Sequence, residues 1–201
     1  MSSPTTGNLP GYQEILQRLV VRMCREHPFH TLYQVWCISD HQPQDKRRHS
    51  GRFSQSTQSE RGSAATTILE RLRDDSLTMK KVKDIEFLCD ACLEWAKYPI
   101  CKNDGYRRKP PRGASGFSVP SGLKILKING QDLKIPVLTA RLPLDPTLKY
   151  DNCVWIDRYS RTFETAGGIN LPKVSVCHGS NGQNYKQLVS PLCFMKCCQN
   201  L

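Results

Sequence analysis

The sequence predicts an α+β chain, helices first and strands after, on three observations. Over residues 11–38 and again over 63–97 apolar residues recur at helical spacing. Beyond Gly122 the apolar runs shorten to strand length and are separated by turn chemistry, Asn129-Gly130 and Gly179-Ser180-Asn181-Gly182. Between them, Tyr98 to Gly122 is rich in Pro, Gly and basic residues and carries no period, which marks a domain boundary.

Residues 11–26 bring Ile15, Leu16, Leu19, Val20 and Met23 onto one stripe, so a helix with this face turned inward is expected. His27-Pro28 breaks it, because proline disfavours helix in the residue before it and suits the first turn of the next. A second helix over Phe29–Ile38 would bury Leu32, Val35 and Trp36, making a helix hairpin. His27 and His30 have no neighbouring residues that would make a metal or acid–base site, and read as helix-start and packing residues.

Residues 40–62 contain a single large apolar residue, Phe53, and such a segment buries too little to offset its ordering entropy. A flexible loop is expected there. A third helix follows over 63–74 with Ala65, Ile68, Leu69 and Leu72 inside. Thr78 is a candidate cap for a fourth, about 79–97, whose stripe is Val82, Ile85, Leu88, Cys89 and Cys92.

After the boundary, Leu123–Ile128 and Leu133–Thr139 flank Asn129-Gly130 and predict a hairpin. Val154–Tyr159 and Arg161–Phe163 form a strand leading to Ala166-Gly167-Gly168, where the absence of a Cβ lets backbone approach a ligand closely. Lys173–Cys177 is the next strand, with Val174 and Val176 on one face. The turn at 179–182 then leads into a returning strand at Tyr185–Val189.

Composition narrows the function classes. No run of about 18 apolar residues is present, so no membrane helix is expected. MSSPTTGNLP lacks the basic-then-apolar pattern of a secretion signal, and the ten cysteines are therefore expected to be reduced thiols. Cys89 and Cys92 fall within a helical pattern, and Cys193, Cys197 and Cys198 are the only clustered partners; zinc binding is not expected. The net charge of +11 would suit nucleic acid or an acidic partner. Much of it lies in two loops, Lys46, Arg47, Arg48, Arg52 and Arg61, then Lys102, Arg107, Arg108, Lys109 and Arg112. Neither interleaves aromatics as a stacking surface would, so solvated loop charge is the simpler reading and direct nucleic-acid binding is not expected.

The letters add a resemblance. AGGINLPKVSVCHGSNGQNYKQLV resembles the opening of the kinase domain in the phosphatidylinositol 3-kinase-related protein kinases, which begins AGG(V/I)NLPK and runs through a G-S-[DN]-G turn into QLVKG. HPFHTLYQVW resembles the HPHHTLF segment of the helical FAT region preceding that domain, and EFLCDACLEWA resembles its EALCDAYIILA helix. The resemblance covers about residues 11–189 and is densest at 163–189 and 27–36.

It implies four regions: a helical FAT-like end of an α-solenoid over 1–110, with the 40–62 loop; a linker and first strands over 111–162; the start of an incomplete antiparallel small-lobe sheet over 163–190; and an unmatched tail, 191–201. It also implies an ATP-dependent serine/threonine kinase, nuclear and devoted to DNA double-strand-break signalling, using ATP and Mg. The partner would be the rest of the kinase or a second copy. By position, Ala166, Gly167, Gly168, Pro172 and Lys173 would lie near the nucleotide.

Ser190 stands where the family has the lysine that binds the ATP phosphates, and a hydroxyl cannot replace that charge. Lys186 is four residues early and too distant along the strand to substitute. The second lobe, with its catalytic base and magnesium ligands, does not follow, so the chain alone is expected to transfer no phosphate and to hold no nucleotide tightly. Ser54-Gln55 and Thr57-Gln58 match the serine or threonine followed by glutamine that such kinases prefer, making Ser54 and Thr57 candidate phosphosites. The other reading is a non-catalytic basic adaptor that contacts nucleic acid or a kinase partner.

Overall fold

The structure is a computed structural model and describes residues 10–39, 52–100, 116–166 and 172–190, with backbone alone at residues 10 and 52–59. It is an α+β fold, helices α1 (Pro10–Glu26), α2 (Pro28–Ile38), α3 (Arg52–Arg73) and α4 (Met79–Lys97) preceding a four-stranded sheet. By internal contacts the chain divides into two units, 1–82 and 83–201. The division falls within α4, upstream of the Pro/Gly-rich stretch at which the sequence places its boundary.

In the first unit the α1–α2 break is as the sequence dictates. His27 N–H closes α1 on the Met23 carbonyl at 2.8 Å, and Pro28 opens α2. Phe29, Leu32, Val35 and Trp36 of α2 are buried, as are Ala65, Ile68, Leu69 and Leu72 of α3.

Three expectations fail here. The α1 stripe is not inside: Ile15, Leu16, Leu19 and Met23 are 66%, 47%, 52% and 44% exposed, while Val21 and Cys24 face inward. One flank of α1 suffices to contact α2 and α3, and the broader apolar face is left on the outside. The expected 40–62 loop is helical from Arg52, since extending a helix already anchored at 65–72 costs far less than nucleating one; residues 40–51 lie outside the described residues. Thr78 does not cap with its hydroxyl. Its carbonyl accepts the first α4 bond from Val82 N–H at 2.9 Å, but Oγ1 donates back to the Leu72 carbonyl at 2.6 Å. Asp75 holds the same corner, accepting Leu77 N–H and pairing with Arg25.

In the second unit the interior side of α4 carries Ile85, Leu88, Cys89, Cys92 and Trp95, all buried. Cys89 and Cys92 are packing thiols. The strands β1 (Phe117–Ser118), β2 (Ile156–Thr165), β3 (Lys173–Gly179) and β4 (Asn184–Val189) are antiparallel in chain order.

The hairpin expected around Asn129-Gly130 does not form. Lys124–Lys127 is a single helical turn, α5, burying Ile125 and, just beyond it, Ile128. Those two residues share a face at a spacing of three, which an alternating reading conceals. Gly130 takes a positive φ of 84°, as the turn chemistry requires. Asn129 instead serves β2: its Oδ1 accepts Tyr159 N–H at 2.9 Å and its Nδ2 donates to the Tyr159 carbonyl at 3.3 Å. The 133–139 run pairs with the entry to β2, Val137 N–H to the Val154 carbonyl and Ile156 N–H to the Ile135 carbonyl.

Candidate functional site

The β3–β4 hairpin is built as its letters demand. Gly179 can carry no Cβ, which would meet Val154 Cγ1 at 2.7 Å, Asn181 Oδ1 at 2.8 Å and Tyr185 Cε2 at 2.9 Å. Gly182 has a φ of 76°. Asn181 Oδ1 accepts Gln183 N–H, and Ser180 exchanges two bonds with the Trp155 backbone, N–H to its carbonyl and Oγ from its N–H.

Upstream, β2 and β3 converge on the glycine segment. Thr165 and Lys173 are the last register pair, and Ala166 N–H donates to the Pro172 carbonyl at 2.8 Å. Of the residues singled out as near a nucleotide, Ala166, Pro172 and Lys173 thus form one stem; Gly167 and Gly168 lie outside the described residues.

Strand alternation separates two faces of the sheet. On one, Lys173, Ser175 and Cys177 of β3 and Gln187 and Val189 of β4 are buried beside Tyr159 and Phe163 of β2. This face packs on α4, where Trp95 meets Phe163 edge to face at 5.7 Å. On the other, Val174, Val176 and Leu188 are half-buried and Lys186 is exposed. Glu164 pairs with Val174, and Val174 with Leu188, so these form one cross-strand row at the stem.

Lys173 therefore does not lie on the open face. It is 3% exposed, and Nζ donates to the Ala96 carbonyl in the last turn of α4 at 2.9 Å. Burial pushes its amine down from 10.5 to about 8. Tyr159 Oη donates to Gln187 Oε1 at 2.8 Å on the same buried face, and burial pushes the Cys177 thiol up to about 12, which makes it an inert packing group. Ser190, just past β4, is buried. Ser54 and Thr57 fall in the first turns of α3, not in a loop.

Sequence reasoning missed the half-open Val174–Leu188 row and the inward turn of Lys173. Hydrophobicity alone would bury the valines and expose the lysine. The alternation itself was legible; which face α4 covers was not.

Comparison with known proteins places the homologues of this chain among serine/threonine protein kinases. More particularly, they are ATM and Tel1. The chain is 31% identical to the serine-protein kinase ATM of Sus scrofa over 202 residues, 94% of this chain and 6% of ATM. It is 30% identical to the kinase TEL1 of Cryptococcus neoformans over 180 residues, and 26% identical to the ATM of Arabidopsis thaliana over 190. Among solved structures, the complete CtTel1 dimer with C2 symmetry matches with a TM-score of 0.66 at 23% identity, covering 92% of this chain and 6% of that one. The FAT and kinase domain of CtTel1 matches at 0.65 over 90% of this chain. No family profile matches. The chain spans about one-twentieth of the length of the curated relatives it matches, 6% of the porcine ATM.

Proposed function

We propose that this chain is a segment of an ATM-like serine/threonine kinase, the end of its helical region and the opening strands of its small lobe. In the complete enzyme the stem formed by Ala166, Pro172 and Lys173 carries the glycine segment over the phosphates of ATP, with magnesium held by residues of the second lobe. The observation that carries this reading is the hairpin itself. A hydrogen-bonded stem leads into β3, and Val174 and Leu188 form a half-open apolar row beside it, which on this reading would floor the nucleotide. The complete kinase acts in the nucleus in signalling DNA double-strand breaks, and its partner is the remainder of the enzyme and a second copy, as in the C2-symmetric CtTel1 dimer.

On this reading the chain holds ATP weakly, because position 190 carries Ser where the resembled kinases have their phosphate-binding lysine. Position 190 follows β4 directly and is buried, and on this reading a lysine there supplies the charge that the resembled kinases place at the nucleotide phosphates. Titration with a fluorescent ATP analogue tests this. Ser190→Lys is expected to bind about tenfold more tightly than the wild type, the worth of one charge-assisted contact. Equal affinities would remove the nucleotide reading from this hairpin.

Ser54 and Thr57 are proposed acceptor sites for a kinase of this kind. Phosphate on Ser54 would sit in the first turn of α3, where the helix favours negative charge. Phosphopeptide mapping after DNA damage that finds both residues unmodified would end that proposal.

A further inference from the structure

We infer that Lys173 is a positioning residue, holding the Ala166–Pro172 stem in place by tying it to the last turn of α4. The inference rests on reading that stem as the base of the nucleotide segment.

Lys173 is the first residue of β3 and sits opposite Thr165, the last of β2. Directly beyond this pair, Ala166 N–H bonds the Pro172 carbonyl. The lysine side chain runs the other way, through the buried layer, to the Ala96 carbonyl at 2.9 Å. Ala96 is among the last four residues of α4, whose carbonyls have no helical N–H to accept, and these carbonyls form the negative end of the helix dipole. A second strut lies beside it. Trp95, fully buried, packs edge-on against Phe163 of β2, itself paired with Ser175 two residues along β3. The end of α4 thus grips both strands of the stem, one by a ring contact and one by a hydrogen bond.

Space filling does not explain the choice of residue. Burying an amine costs free energy that a methionine of similar length would not incur. What the lysine adds is a directional bond between the end of α4 and the start of β3, so a shift of the last turn of α4 is carried to the stem.

The test is amide exchange read site by site on the whole chain, with no nucleotide present. In Lys173→Met, the Ala166 amide is expected to exchange about tenfold faster relative to the Gly179 amide, which bonds the Gln183 carbonyl at the far end of the same strand. An unchanged ratio would mean that the lysine supports the fold in general, and the inference would fall. Should the variant not fold, the wild type decides. With increasing denaturant, the Lys173 ammonium and the Ala166 amide are expected to lose protection together. Loss of Ala166 protection while the ammonium stays protected would overturn the tether. The ATP titration of Ser190→Lys is separate, so either idea can fail without the other.

Discussion

Lys173 shows how one atom's surroundings reverse a residue's apparent role. By resemblance this lysine would lie near a nucleotide; in the fold its amine faces the end of a helix and loses solvent. The consequence for stability has a sign. Below about pH 8 the amine is protonated both folded and unfolded, and the cost of burying the charge is carried in full. Between about 8 and 10.5 the unfolded chain keeps a proton that the folded chain has released, so folding becomes more favourable as pH rises. Urea melts across this window are expected to show the wild type gaining on Lys173→Met by at most about 3 kcal/mol. Parallel curves would mean that the amine is not buried as described.

Among secondary elements, the β3–β4 hairpin was the most legible, because its turn needs special backbone at fixed positions. Gly182 supplies the positive φ, Asn181 bonds Gln183 N–H, and Gly179 leaves room for Val154 and Tyr185. Gly179→Ala forces a methyl into contacts under 3 Å and is expected to destabilise the chain by about 1–3 kcal/mol in a denaturant melt. A neutral result would show that the hairpin end gives way easily. Asn129-Gly130 carries equally strong turn chemistry and makes no hairpin. Its asparagine satisfies the backbone of Tyr159 thirty residues away, and the following run pairs with the entry to β2. Local turn chemistry was read correctly, but the partner it served is a non-local fact.

At the scale of the molecule, the apolar stripe of α1 stands out, since Ile15, Leu16, Leu19 and Met23 are all exposed. A contiguous apolar face of this kind binds apolar dyes and promotes association. Ile15→Glu with Leu19→Glu is expected to lower the fluorescence of a bound naphthalenesulfonate dye while leaving the helical circular dichroism intact. Unchanged fluorescence would mean that the stripe is covered in solution.

By itself the sequence determined the helix-then-strand order, the α1–α2 break at Pro28, the inward faces of α2, α3 and α4, the tight hairpin, and the likeness to kinases of this class. Each depends on residues within a few positions of one another, where periodicity, proline and glycine act directly on the backbone. Only the tertiary structure decided that the α1 stripe is outside, that 52–62 is helical and 124–127 a helical turn, and that Lys173 points to Ala96 while Val174 stays half open. Those outcomes turn on which surface another element covers. Burial belongs to a pair of elements, and a pattern on one of them does not say which side its neighbour will take.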